Sequence, residues 1–189
     1  SSSFFSVIRH FSNGYVMHTA YFQYYYFDTE SNQLMSNNQI SRLRSIQSEH
    51  FPLQWEFKIK GKTGASSVFM QLSEVNSILD SPETFFRVNM LPNGLKKRLE
   101  SYQNETFRKV GEFRLTRKFI NVGNILLKAD EICLKGSEPF YEIGFEASDV
   151  NIAREKIKKI LNEMELKYSM ENVSKYNRFI KSTQNKKKY

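Results

Sequence analysis

Hydrophobic and polar residues alternate with a period of two through most of the chain and fall into a helical period mainly toward its two ends. Tyr15–Phe27 is dense in Tyr and Phe, with Val16 and Thr19, which is strand composition. Asp28 to Asn38 is polar and turn-like. Ile40–Ile46 and Leu53–Lys60 read as the next strands, separated by a loop around His50 and Pro52, and Gly61–Ser67 reads as a further loop. Thr106–Ile120, Ile125–Leu134 and Pro139–Ala147 return to strand. Near the N-terminus, Phe4, Phe5, Val7, Ile8 and Phe11 share one face of a short helix. Ser73–Leu79 predicts a helix capped by Ser73, and Pro92 with Gly94 introduces another running to about Tyr102. From Ser148 the period changes again: Val150, Ala153, Ile157, Ile160, Leu161 and Met164 form one apolar helical face, with Lys156, Lys158 and Lys159 on the wet side. A last helix, Val173 to Ile180, precedes a basic tail expected to be disordered over 183–189. No repeat or linker divides the chain, so residues 1–189 read as one domain, with 1–14 as an N-terminal helix or extension. Long antiparallel strands with helices between and after them predict an α+β domain. Its sheet is expected to form a closed or nearly closed antiparallel β-barrel with flanking helices.

Composition narrows the partners. The chain has 189 residues, 40% of them hydrophobic, enough to bury a real core, and contains no apolar run long enough to cross a bilayer. Its formal charge of +8 favours an anionic partner, and the basic bias survives when Lys186, Lys187 and Lys188 are set aside. Cys133 is the only cysteine, which excludes an internal disulfide and argues against an extracellular scaffold. His10, His18 and His50 have no mutual spacing suited to a metal or a triad. The segment Arg9-His10-Phe11-Ser12 also fits a mitochondrial processing site after an acid-free, Ser-rich stretch. The helix is the preferred reading there, with a cytoplasmic location expected and a mitochondrial one as the alternative.

Parity supplies the candidate chemistry. A strand points residues i and i+2 the same way, so Arg42 with Arg44, and Lys58 with Lys60, aim at common space. Glu56 shares the second of these faces, and Glu142, Gly144 and Glu146 share a face of Pro139–Ala147. Cations on some strands would neutralise phosphate oxygens, while carboxylates on others would hold a hard divalent ion bridging those oxygens. An ordinary half-wet sheet with cross-strand ion pairs explains the same pattern. Gly-Lys-Thr at 61–63 is not a phosphate loop, because Glu56 stands where its upstream glycine belongs. Tyr24, Tyr25 and Tyr26 must face alternately, so packing is the preferred role for them, and Trp55, of opposite parity to Lys58, is expected outside under a helix.

The run YYFDTESNQLMSNNQISRLRS (25–45), followed by QWEFKIKG (54–61), resembles the centre of the CYTH superfamily, the triphosphate tunnel metalloenzymes that include thiamine triphosphatase. LTRKF (115–119) is similar to that family's basic strand. ADEICLKGSEPFYEIGFEA (129–147) is similar to its Asp-containing strand and following hairpin. AREKIKKILNEM (153–164) and SKY (174–176) are similar to its C-terminal elements. The resemblance implies an eight-stranded tunnel that binds a small triphosphate, thiamine triphosphate or inorganic triphosphate, and hydrolyses it with Mg²⁺ or Mn²⁺. It implies phosphate contacts from Arg42, Arg44, Lys58 and Arg117, with Lys60 a companion by parity and Lys175 a further candidate. It assigns the metal side to Glu142, Glu146 and Asp130. A monomer or a homodimer is compatible, no membrane is implied, and nucleic acid fits less well than a small triphosphate.

This chain departs from the pattern in three places. Gly144 stands where the family has a glutamate. Arg114 and Arg117 have opposite parity, so only one faces inward, and the resemblance favours Arg117. The family's first strand, E-x-E-x-K, has no counterpart upstream of the FDT turn, and it is expected to lie just before Ser1 in a longer chain. A degenerate relative that binds phosphate or RNA without cleaving, and a class IV-type adenylyl cyclase, are the alternative readings.

Overall fold

The protein is described here by a computed structural model that covers residues 2–12, 16–62, 64–80, 85–169 and 175–185. Helix α1 (Ser2–Ser12) buries Phe4, Val7, Ile8 and Phe11, which confirms the helical reading, although Phe5 turns to solvent. β1 (His18–Thr29) follows and becomes the central strand. It ends where Asp28, 2% exposed, accepts the backbone N–H groups of Thr29 and Leu34 on Oδ1 at 2.7 and 2.9 Å, and that of Met35 on Oδ2 at 3.0 Å. The carboxylate thereby satisfies orphan donors at the start of α2 (Gln33–Ser36). The FDT turn is thus a folding element.

β2 (Ile40–Ser48), β3 (Gln54–Gly61) and β4 (Gly64–Met70) then form a meander. Within the expected loop at Gly61–Ser67, β4 already begins at Gly64, paired with Gly61 at the end of β3, and Gly64 has φ +105°, a conformation open to glycine. α3 (Leu72–Leu79) starts one residue before the expected cap: Glu74 accepts the Gln71 backbone N–H at 2.8 Å, so Gln71 and Glu74, not Ser73, close its first turn. The three-residue β5 (Phe85–Arg87), α4 (Asn93–Lys96) and 3₁₀ turns at 88–90 and 97–102 lead into β6 (Thr106–Val122). β7 (Ile125–Leu134) and β8 (Phe140–Ala147) complete the sheet. α5 (Val150–Glu163) is capped by Asp149, whose carboxylate accepts from Asn151 and Ile152, and buries Ala153, Ile157 and Leu161 while Val150 stays exposed. α6 (Lys175–Asn185) extends past the expected end at Ile180 and takes in 183–185 of the anticipated tail. Residues 173–174 and 186–189 lie outside the described residues.

All strand pairs are antiparallel, in the order β4-β3-β2-β1-β6-β7-β8, with β5 on β6. This is the expected α+β class, an eight-stranded sheet with flanking helices, and β4 and β8 make no mutual ladder among the described residues. Its outer face carries two cores. One gathers Leu34, Leu43, Phe57, Ile59, Val75, Ile78, Leu95 and Leu99 under the segments between β1 and β6, with Trp55 packed against it as expected. The other packs α1 and α5 on Ile120, Ile125, Leu127 and Ala129. The inner face is aromatic along β1 and β6 and is covered by Tyr176 and Phe179 of α6. A register shift between Tyr26 and Phe27 places Gly111 opposite Tyr26 and Lys109 opposite Phe27, leaving Val110 as the extra bulge residue. Phe179 takes the space a side chain would need at Gly111: a Cβ there would lie 2.0 Å from its ring. No described helix is long and apolar enough to cross a membrane.

Candidate functional site

Register converts the parity pattern into one surface. Arg42 lies opposite Lys58, Arg44 opposite Glu56 and Lys60 opposite Ile40. On the other side of β2, Arg44 faces Tyr24 and Arg42 faces Tyr26. Across β1, Ala20 pairs with Arg117, which pairs with Asp130, which pairs with Glu142. Every strand residue proposed for the site therefore lies on the inner face, and Lys175 reaches the same face from α6. Arg114, of the other parity, contacts Gln23 on the outer face, so Arg117 is the inward arginine of the pair.

The β2–β3 half is cationic. The Arg42 guanidinium sits 5.3 Å over the Tyr24 ring, and its Nε is buried without a hydrogen-bond partner. Burial pushes the Tyr26 hydroxyl up to about 12 even though the neighbouring Arg42 charge pulls it down. Arg44 lies 5.7 Å over Phe22, and its Nε is 2.5 Å from Glu56 Oε2; the contact is ionic but not aligned as a hydrogen bond, so the donor capacity stays open. Arg42, Lys58 and Lys60 have no carboxylate partner among the described residues.

The β7–β8 half holds the acids, each matched to a cation. Asp130, 2% exposed, accepts two bonds from Arg117, at 2.6 Å from Nε and 2.8 Å from Nη2. Burial lowers the affinity of Arg117 for its proton, but the Asp130 bond and charge outweigh this and leave the pKa raised. The Lys175 ammonium lies 3.0 Å from Asp130 Oδ2 and also binds Glu142 Oε2, while Arg178 Nε is 3.3 Å from Glu142 Oε1. Glu146 stands apart: it pairs with Lys128, whose bond and charge lower its pKa, and its side chain is largely exposed. Gly144 separates it from Glu142, and a Cβ there would meet nothing within 4 Å.

Of the three proposed metal ligands, then, Asp130 and Glu142 come together and Glu146 does not join them. No group of three or more His, Cys, Asp or Glu suited to an ion forms among the described residues. The Asp130–Glu142 pair still fits Mg²⁺ or Mn²⁺. Magnesium is commonly held by one or two carboxylates plus substrate phosphates, and an ammonium already sits where the two hard-oxygen ligands converge.

Sequence reasoning passed over Lys128 and Arg178. Both were within reach: Lys128 shares the parity of Asp130, and Arg178 lies one helical turn from Lys175. The histidines do not enter the site as a ligand set. His18 stacks on Phe119 at 4.2 Å, with His50 at 5.9 Å. Cys133 is half-buried, and burial raises its pKa, so it is not an activated thiol.

With this geometry in place, the chain belongs to the CYTH family: the CYTH domain model matches residues 9–180. Solved structures share the fold. HpAC1 of Hippeastrum, an adenylyl cyclase candidate described as having a dominant triphosphatase activity, superposes with a TM-score of 0.76 at 17% identity, covering 96% of this chain and 91% of its own. A Bacillus halodurans protein described as an adenylate cyclase candidate gives 0.68 at 20% identity over 95% and 91%. Protein PH1819 of Pyrococcus horikoshii gives 0.59 at 17% identity over 96% and 94%. No curated protein matches the sequence.

Proposed function

We propose that this chain binds a small triphosphate along the β2–β3 half of the inner face and that the CYTH domain it forms hydrolyses it. One observation carries this reading: among the described residues, Arg42, Lys58 and Lys60 share a face with no carboxylate partner, while the acids of that face are each matched. Unmatched cations converging on one space need an anion, and a polyphosphate distributes charge along such a row. Arg42 and Arg44 offer planar donor forks, and Lys58 and Lys60 add point charges that follow the chain of phosphates. Arg117 stays bound to Asp130 and meets phosphate through its outer donors, and Lys175 joins from α6.

A divalent ion, when bound, would be held by Asp130 and Glu142 and would offset charge on bridging phosphate oxygens. The chain's own groups position the terminal phosphoryl, exclude part of the water through the aromatic floor and α6, and offset charge developing on the equatorial oxygens. Glu56, held by Arg44, limits how far that arginine can swing toward a ligand. Thiamine triphosphate and inorganic triphosphate are the proposed substrates.

Incubation with inorganic triphosphate, thiamine triphosphate and ATP in Mg²⁺ or Mn²⁺ should release orthophosphate from at least one. Cyclic AMP from ATP would select the cyclase reading, and binding without any turnover would select the non-cleaving one. Arg42→Glu should weaken triphosphate binding at least tenfold, the equivalent of losing about 1.5 kcal/mol of charged hydrogen bonding. An unchanged dissociation constant in calorimetry would refute the assignment of this face.

A further inference from the structure

We propose that the protein carries a second ligand site, separate from the inner face: a polar groove between Arg87 and Asn104 that takes a small phosphorylated sugar or polyol. The groove has a volume of about 710 Å³, within the range of small-molecule sites. It is built on the segment that covers the outer-face core. Phe86, Val88, Leu95, Leu99 and Tyr102 point into that core and are at most 5% exposed. Arg98 Nε donates to Ser66 Oγ of β4 at 2.9 Å and ties the segment down. The residues between the buried ones face away from the sheet: Arg87, Lys97, Glu100 and Gln103 are exposed and Lys96 is half-buried. The groove therefore opens on the far side of the cover from Arg42 and Lys58.

The lining decides the ligand. Arg87, Lys96 and Lys97 set three cations against one acid, Glu100, and none of the four forms an ion pair among the described residues. On α5, by contrast, Lys158 and Lys159 pair with Glu155 and Glu163. An excess of unmatched cations around a concavity calls for an anion, and one guanidinium fork with two ammonium groups suits phosphate oxygens. The amides of Asn89, Gln103 and Asn104 both donate and accept, as sugar hydroxyls require. Glu100 accepts from hydroxyls and repels a ligand that is phosphate throughout, which disfavours a polyphosphate chain or a nucleic-acid backbone. Among the described residues no aromatic side chain lines the groove, and Val88 is the one apolar residue that does. A nucleobase has nothing there to stack on. A molecule with one phosphate and several hydroxyls uses every polar group of the lining.

Calorimetry on the full chain with ribose 5-phosphate and inositol monophosphate, and with orthophosphate, ribose and inositol as their fragments, tests the groove. At least one phosphorylated probe should bind about tenfold more tightly than either of its fragments. Lys97→Glu should lower that affinity by about tenfold, the loss of a charged hydrogen bond, and leave inorganic triphosphate binding unchanged. Gln103→Ala should lower it by about threefold to tenfold while orthophosphate affinity stays constant. Both side chains are exposed, so both variants should keep the wild-type Tm. Arg42→Glu should leave binding of the phosphorylated probe unaltered, whatever it does to triphosphate. A phosphorylated probe that binds no better than its fragments, or full affinity in both groove variants, would overturn the proposal. So would a loss on Arg42→Glu in place of Lys97→Glu, which would put the probe on the inner face.

Discussion

Replacing Lys175 by Met should both destabilise the protein and sensitise it to divalent ions. The ammonium bridges Asp130 and Glu142, whose side chains are 3% and 19% exposed, and is itself 26% exposed. Removing one member of a buried pair costs about 3–5 kcal/mol when the other is stranded. Here Asp130 keeps both bonds from Arg117, and Glu142 keeps Arg178. The loss therefore falls to that of a charged hydrogen bond, about 1.5–3 kcal/mol. At about 2–4 °C per kcal/mol for a chain of this size, the Tm should drop by roughly 3–12 °C. The same substitution clears the cation from two converging carboxylates. Mg²⁺ or Mn²⁺ should then offset most or all of the lost stability, the gain being about 2.7 kcal/mol at a hundredfold excess over Kd. Thermal unfolding followed by Trp55 fluorescence, with and without divalent salt and against NaCl of equal ionic strength, reads both effects. A variant whose Tm responds to divalent ions no more than the wild type would refute the claim that Lys175 holds a cation site at Asp130 and Glu142.

Gly111→Ala should destabilise by about 1–3 kcal/mol, the usual cost of overpacking, and in a Phe179→Ala background most of that cost should vanish in a double-mutant cycle by urea unfolding. Asp28→Ala should cost about 2 kcal/mol or more by stranding N–H groups at the start of α2, with triphosphate affinity unchanged in the folded fraction. Burial pushes the hydroxyls of Tyr26 and Tyr176 from 10 up to about 12, so their contribution to stability is complete below pH 10 and is lost as pH rises toward 12. Absorbance at the tyrosinate band should show them ionising together with alkaline unfolding, and ionisation in the folded state near pH 10 would contradict their burial.

The strands and the inner face were legible because a period of two fixes which residues point together, whatever the rest of the fold does. Arg42, Arg44, Lys58 and Glu56 needed only that rule. β4 escaped it, since Gly64, Ala65, Ser66 and Ser67 have weak strand preference and take their conformation from pairing with β3. β5 is too short to carry a period. Phe5 shows the complementary error: a helical stripe was read too widely, and only the residues facing the Ile120–Ala129 core are buried. The pairing of Lys175 with Asp130 and Glu142 was illegible for a different reason. It depends on where a helix docks, and nothing in the local spacing of SKY specifies that. Glu146 had the right parity, but it lies four residues beyond Glu142 along β8, which gives it Lys128 as partner in place of Asp130.

The aromatic richness of β1, read from the sequence as packing, also explains how arginines survive in a largely buried layer. Arg42 lies over Tyr24, Arg44 over Phe22, Arg117 between Phe22 and Phe119, and Arg178 over Phe140, at 5.3–5.8 Å. A ring face attracts the flat side of a guanidinium by about 0.5–2 kcal/mol and leaves its in-plane N–H donors uncommitted. A carboxylate partner offsets the same charge but occupies those donors, as Asp130 does for Arg117. The two halves of the inner face differ in which device dominates. Arg42 is held by the Tyr24 ring and hydrogen-bonds the Tyr26 hydroxyl, but its Nε is unpartnered and it has no carboxylate partner among the described residues, so its charge is left to meet an anion; the β7–β8 half is held by carboxylates and is already neutralised. Phosphate should therefore lodge over β2 and β3. On the proposed function, Asp130 and Glu142 would take up another cation only where Lys175 gives way to it.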